Sequence, residues 1–412
     1  MATIITNIKL LVNTRHQNQL LRGKELADLP CIENAYLIIE EGIIAGYGSM
    51  TELQSKNYLS QTTINVTGQF VLPAWCDSHT HLIFAASRED EFVDKIKGLS
   101  YAAIAAKGGG ILNSASKLNE TSEKELVRQA WSRLQEVIQS GTGAIEIKSG
   151  YGLSVAGELK MLRVIKKLQD ISPIPIKATF LAAHTYPSGY KEDHQAYIDL
   201  IINEMLPVIA NEKLADYIDV FCETGFFSPE ETETICKAGM SYGLKPKIHA
   251  NQLNLSGGTQ VGVKLGAVSV DHLETMDDDA IQVLANSSTI GTLLPTAAFF
   301  LGMPLQPARK LINANCAIAL ATDYNPGSSP SGNMNLVIAM SCIQMKMLPE
   351  EAINAATING AYAMELQDKV GSITVGKKAN LIFTKPVPSL AYLPYSFGTN
   401  LIDRVMIAGQ WV

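Results

Sequence analysis

The sequence predicts an α/β fold, a (β/α)8 TIM barrel with a small β-sandwich domain built from both chain ends. Three observations lead there. Strand-like and helix-like segments alternate through the middle of the chain, both ends read as strands and turns, and polar residues recur where the middle strands stop. At 412 residues there is room for one large domain and a small one. A 47% hydrophobic content and a positive mean hydropathy of +0.10 describe a well-cored globular protein.

At the start, "AYLIIEEGIIAGYGS" gives two apolar runs around Glu-Glu-Gly, and "TINVTGQFVLPAW" gives another strand pair broken at Gly68. At the far end, "GSITVGKKANLIFTKP" and "DRVMIAGQWV" repeat the pattern, with turns at Gly376 and Gly409. Neither end has enough strands for a stable sheet alone, so residues 1–70 and 371–412 are expected to pair into one small domain. Between them, residues 71–370 offer strands at 76–81, 142–147, 176–183, 217–222, 246–249, 267–271, 289–294 and 317–322. Helical stretches separate these strands. In "AGELKMLRVIKKLQD", Met161, Leu162, Ile165 and Leu168 share one face, and Ser228 before Pro229 suits an N-cap and first turn. Eight strand–helix units over about 250 residues suit a barrel. The alternative, an open doubly wound sheet, lacks a G-x-G-x-x-G after its first strand, and no G-K-[ST] loop is present.

Acidic residues outnumber basic ones, 40 to 33, with no Lys/Arg block, which disfavours nucleic acid and anionic membrane as partners. Six scattered cysteines without a C-x-x-C pair read as reduced thiols of a cytoplasmic protein. The first residues lack the charged start, apolar centre and cleavage site of a signal peptide. "LLPTAAFFLGMPL" contains two prolines and is too short to span a bilayer.

The informative residues are those that end buried strands. His79 and His81 end the first in "DSHTHL", where alternation puts both on one side. His184 ends the third, His249 the fifth, His272 the sixth and Asp323 the eighth. Five of seven histidines thus fall at the catalytic face of a barrel, while His16 and His194 read as surface residues. A lone histidine there is ordinarily a hydrogen-bonded core residue, and Asp323 before Asn-Pro-Gly an ordinary turn former. The ordinary reading must hold six times on one face, so convergence favours a metal site. Three imidazoles and a carboxylate suit one zinc or iron ion, which predicts hydrolysis at a trigonal carbon by metal-activated hydroxide. "KGGGIL" after the first strand reads as a loop covering a ligand, with a plain flexible loop as the alternative.

"VLPAWCDSHTHL", with histidines on strands five and six and an aspartate on strand eight, resembles the amidohydrolase superfamily. Within it, "DSHTHLIFAASREDEF", "AAKGGGIL", "EIKSGYGL", "EMLP", "DVFCETGFFS", "DHLE", "LLPTAAFFL", "ATDYNPGSSP" and "VGSITVGKKANLIF" resemble the imidazolonepropionase family, in family order. That resemblance implies a homodimer that opens the ring of 4-imidazolone-5-propanoate to N-formimidoyl-L-glutamate in histidine degradation. It implies His79, His81, His249 and Asp323 as metal ligands, Arg88, Tyr151, His184 and Gln252 around the substrate, and Asn325, Gly327 and Ser328 on the loop after strand eight. Arg88 offers a planar fork for the substrate propionate, its alternative being a surface ion pair with Glu89 or Asp90. Tyr151 closes over the ring or packs on the rim, and the Asn-Pro-Gly-Ser turn offers NH groups to an anion or is simply a turn. Asp323 is expected to carry the proton, with His272 stabilising the oxyanion. "PAWCD" and "LAAHTYPSGY" depart from the usual family wording beside these positions, not at them.

Two other functions compete. A related aminohydrolase deaminating a purine or pyrimidine usually carries Glu three residues after the strand-five histidine, where this chain has Gln252, an amide unable to act as an acid. A catalytically silent barrel has no need of a buried charged cluster.

Overall fold

The computed structural model describes residues 2–54, 62–99 and 109–412. The chain opens with β1 (Ala2–Val12), β2 (Cys31–Glu40), β3 (Ile43–Ser49), β4 (Thr62–Asn65) and β5 (Phe70–Pro73). Then come β6 (Trp75–Asp77), β7 (Thr142–Lys148), β8 (Ile176–Ala183), β9 (Tyr217–Cys222), β10 (Lys245–Ala250), β11 (Ser269–His272), β12 (Ile290–Leu293) and β13 (Ile318–Leu320). It closes with β14 (Leu381–Thr384), β15 (Ile402–Ile407) and β16 (Gln410–Trp411).

Strands β6 to β13 pair in sequence order, all parallel, with helices between them. They form the (β/α)8 barrel. Its two edges meet at an isolated parallel bridge between Thr80 and Tyr324, where Asp323 N donates to His79 O (3.0 Å) and His81 N to Tyr324 O (2.9 Å). Helices cover the outside, so the strands are buried on both faces and read as continuous apolar runs. The helix Val155–Ile171 shows how: Ser154 Oγ accepts from Gly157 N at 3.0 Å, and Met161, Leu162, Ile165 and Leu168 are fully buried. In Pro229–Ser241 the expected Ser228 cap is joined by Glu231 in a capping box.

The second sheet takes strands from both ends, in the order β16-β15-β14-β5-β1-β2-β3, with β4 also on β1. Ile5, Leu37, Val71, Phe383 and Met406 share its core. Glu41 (φ 50°) and Gly42 (φ 77°) make the two-residue turn between β2 and β3. The segments on either side of Gly68 do not pair with each other as expected. Both lie parallel to β1, β4 against Thr3–Thr6 and β5 against Leu10–Leu11, because β1 is long enough to receive them in tandem around its irregularity between Ile5 and Ile8. All six cysteines are free thiols. Among the described residues, no helix is long and apolar enough to cross a membrane.

Candidate metal and substrate site

The first barrel strand is shorter than the sequence suggests. Its ladder stops at Asp77, and Ser78–His81 continue as extended chain held between neighbours, with Lys148 N donating to Thr80 O at 2.8 Å. Alternation survives, and the His79 and His81 rings approach to 5.3 Å between centroids. Asp323 likewise lies beyond the end of β13, with a left-handed φ of 54°, and His272 ends β11 at φ 85°. Such backbone is costly for residues with a Cβ, and strain of this kind gathers at functional sites. Thr322, which donates to buried Asp77 through N (3.0 Å) and Oγ1 (2.7 Å), anchors the turn that carries Asp323.

All five strand-end histidines meet at this one end of the barrel. His79 lies 4.5 Å from His249 and 5.5 Å from His272 between ring centroids, and His81 lies 5.2 Å from His184, nearly parallel to it. Asp323 Oδ1 is 3.5 Å from both His79 Nε2 and His81 Nε2. Three overlapping triads have ligand atoms close enough to share an ion: His79, His81 and Asp323; His79, His249 and His272; His81, His184 and His249. Of the four residues expected as ligands, His249 shares no triad with Asp323 and joins through His79 and His81. Among the described residues, His79 Nε2, His81 Nδ1 and both ring nitrogens of His249 are buried without a hydrogen-bond partner. Orphaned imidazole nitrogens beside a carboxylate suit a divalent metal. Burial, reinforced by neighbouring cations and imidazoles, holds His79, His81 and His249 well below the usual histidine range, hence neutral and free to ligate. Burial also pushes the Asp323 carboxyl up to about 6, against the pull of His272, Ser328 and Asn325. Burial opposes a charge on His272, but Glu274 Oε1, 3.3 Å from its Nδ1, overcomes this and raises it.

Around this cluster stand the residues expected to meet substrate. Arg88 Nε donates to Ser114 Oγ at 2.8 Å, and among the described residues its buried Nη2 has no hydrogen-bond partner, an arrangement unlike a surface ion pair. Its guanidinium lies 5.7 Å from the Tyr151 ring centroid. Tyr151 is buried in a turn pinned by Glu158, which accepts from the NH groups of Gly150 (3.0 Å), Gly152 (2.7 Å) and Leu153 (2.9 Å). The His184 ring Nδ1 lies 3.1 Å from Gly150 O, and burial pushes His184 down to about 4. Gln252 is buried in a segment tied by Glu223, which accepts from Leu253 N (2.8 Å) and Asn254 N (3.2 Å). Lys107 and Gly108 of "KGGGIL" lie outside the described residues. His16 and His194 are exposed, as expected of surface residues.

One expectation is corrected. The NH groups of Gly327 and Ser328 are not open to an anion, because Asn325 Oδ1 accepts both at 2.8 Å. The Asn side chain closes the turn on itself, as asparagine does. The loop faces the cluster instead through Ser328 Oγ, which donates to Asp323 Oδ2 at 3.1 Å.

Beneath the histidines lies a layer that reading the strand ends misses. Asp271 Oδ2 is 2.7 Å from His79 Nδ1, and Asp219 Oδ2 is 2.9 Å from His249 Nδ1. Lys148, Glu146 and Lys247 complete the layer, all fully buried. Their signal is charged residues alternating with apolar ones inside "IEIK", "IDVF" and "KPKIH", which puts each charge on the barrel's inner side.

The model of the "Amidohydrolase family" matches residues 70–412. A protein named imidazolonepropionase from Flavobacterium johnsoniae is 59% identical over the whole of both chains. Another of that name from Christiangramia forsetii is 55% identical over the whole of both, and one from Thermoanaerobacter pseudethanolicus 40% over 93% of this chain and 91% of its own. Among solved structures, guanine deaminase of E. coli superposes with a TM-score of 0.74 at 14% identity, over 100% of this chain and 99% of its own. A zinc-bound adenosine deaminase from Xanthomonas campestris gives 0.71 at 15%, over 99% of this chain and 92% of its own. At such identities the two structures speak for the fold alone.

Proposed function

The chain belongs to the amidohydrolase family, and from that premise we infer that it hydrolyses the cyclic C–N bond of 4-imidazolone-5-propanoate to N-formimidoyl-L-glutamate, a step of histidine degradation. The observation that carries this reading is the end-to-end likeness to proteins named for that activity. The finer readings are one zinc or iron ion per chain, held by His79, His81, His249 and Asp323, in a cytoplasmic homodimer. The orphaned imidazole nitrogens support the ion, and the family resemblance supports the rest.

A divalent ion bound there supplies Lewis acidity and brings the pKa of water towards neutrality. The side chains do the remainder. Asp323 accepts the proton of the attacking water at a carboxylate oxygen and returns it to the ring nitrogen as the C–N bond breaks. His272, whose protonated form Glu274 favours, donates towards the carbonyl oxygen as negative charge develops. Tyr151 and His184 flank the ring. Arg88 presents its Nη2, without a partner among the described residues, to the propionate, and Gln252 offers an amide that both donates and accepts along the ring edge without moving a proton.

The protein is expected to convert imidazolonepropanoate to formimidoylglutamate with no ammonia released, leaving guanine, adenine and cytosine untouched. Product analysis with an ammonia assay decides it. Ammonia from any of those bases at a rate comparable to ring opening overturns the reading in favour of a deaminase. Arg88→Lys keeps the charge but loses the fork held against Ser114, so kcat/KM is expected to fall by about 1.5–3 kcal/mol of interaction. Unchanged kinetics in Arg88→Met place the carboxylate elsewhere.

A further inference from the structure

Two of the three imidazoles read as ligands have a buried carboxylate behind them at Nδ1. Asp271 Oδ2 hydrogen-bonds His79 Nδ1, and Asp219 Oδ2 stands 2.9 Å from His249 Nδ1, while each Nε2 has no hydrogen-bond partner among the described residues. Asp219 also accepts from the backbone NH of His249 through Oδ1 at 3.1 Å, and Asp271 Oδ1 accepts from Ser269 Oγ at 2.6 Å. Each carboxylate therefore has its orientation set twice. Lys148 Nζ donates to Asp219 Oδ2 at 2.8 Å and stands 3.5 Å from Asp271 Oδ2, so it touches in both cases the oxygen that faces a histidine. A third contact, to Glu146 Oε1 at 2.7 Å, fixes the ammonium. The second buried lysine, Lys247, pairs with Glu146 and donates to the carbonyls of Ser78 and Ala363, both at 3.2 Å. Among the described residues it makes no ion pair with either histidine-bound carboxylate.

A buried charge set of this kind is a poor stabilising device. Desolvating two ammonium groups and three carboxylates costs about as much as their attraction returns, and well-packed apolar residues do as well. Its geometry suits orientation. An imidazole whose Nδ1 proton is given to a carboxylate has its tautomer and ring angle fixed, and its Nε2 becomes the more basic ligand.

We propose that Lys148 is a positioning residue for the metal, a single ammonium that locks the Asp219–His249 and Asp271–His79 pairs together so that both Nε2 atoms face one ion. The proposal rests on the metal reading given above and adds to it that the two ligands are set jointly. It predicts that zinc affinity depends on a residue that touches neither ion nor substrate.

The test is the zinc dissociation constant of purified full-length protein, by competition with a chromogenic chelator, alongside far-UV circular dichroism and thermal melting. Lys148→Met is expected to weaken zinc by about 10–100-fold. Because that change leaves the buried set one positive charge short, Lys148→Met with Glu146→Gln is measured too. It keeps the net charge of the buried set at the wild-type value and is expected to lose affinity to the same degree. Lys247→Met is expected to lower the melting temperature with a smaller loss of affinity. Wild-type affinity in the folded double variant overturns the proposal. Equal weakening by Lys247→Met does so as well, because general charge balance then accounts for the effect. Failure of the wild-type protein to hold zinc overturns the metal reading and the proposal with it.

Discussion

Replacing His249 with Ala is expected to strip metal and activity together, with kcat/KM down by at least about 10³-fold, or about 4 kcal/mol of barrier. His249 enters two of the three triads close enough to share an ion, with His79 and with His81, so its loss leaves His79, His81 and Asp323 as the one expected group intact. The fold is expected to survive. The Asp219 carboxylate that stands behind the imidazole keeps its bonds to Lys148 Nζ and to the backbone NH of residue 249, neither of which depends on the imidazole. No charge is stranded. Elemental analysis of purified protein, with circular dichroism to show native structure, separates this outcome from unfolding. Full metal occupancy in a folded His249→Ala protein counts against the ligand assignment.

The contrast between His249 and Asp219 shows where sequence reading stops. His249 is legible because an imidazole at the end of the strand "KPKIH" has no role in a sheet, and four other histidines end strands likewise. The barrel was legible for a related reason, since strands buried on both faces write themselves as continuous apolar runs between amphipathic helices. Asp219 and Asp271 also stand in apolar runs, but their partners depend on how neighbouring strands are staggered. In the ladders Asp219 lies opposite Lys247, and Asp271 lies opposite His249. Yet Asp271 bonds His79 across the barrel, and Asp219 reaches His249 two residues beyond its ladder partner. Register and closure decide those contacts, and neither is written in one strand. The same limit explains β4 and β5, whose existence was plain but whose shared partner β1 was not. Arg88 was singled out for its fork, while Ser114, which aims it, follows the stretch that could be read only as a glycine-rich loop.

Asp323→Asn is expected to lower kcat by about 10²–10⁴-fold, or about 3–5 kcal/mol, when assayed at saturating substrate and zinc. The substitution is nearly isosteric. The bond from Asn325 Nδ2 goes to the backbone carbonyl of residue 323, at 2.6 Å, and does not depend on the side chain. Ser328 Oγ donates to Oδ2 at 3.1 Å, a contact that an amide oxygen can also accept. The left-handed backbone at φ 54° is tolerated by Asn at least as well as by Asp. The loop should therefore hold its place, and the loss falls on two functions of the carboxylate. One is its charge beside His79 and His81, whose removal weakens zinc, and saturating metal compensates for that. The other is its basicity, which no metal concentration restores, because an amide cannot take a proton from water and return it to a departing nitrogen. Neither of the other two residues assigned to the reaction is suited to replace it. Glu274 favours the protonated form of His272, which makes it a poor proton acceptor, and Gln252 is itself an amide. A kcat within about threefold of wild type in fully metallated Asp323→Asn moves the proton transfer to another group, and the His272–Glu274 pair becomes the one to examine.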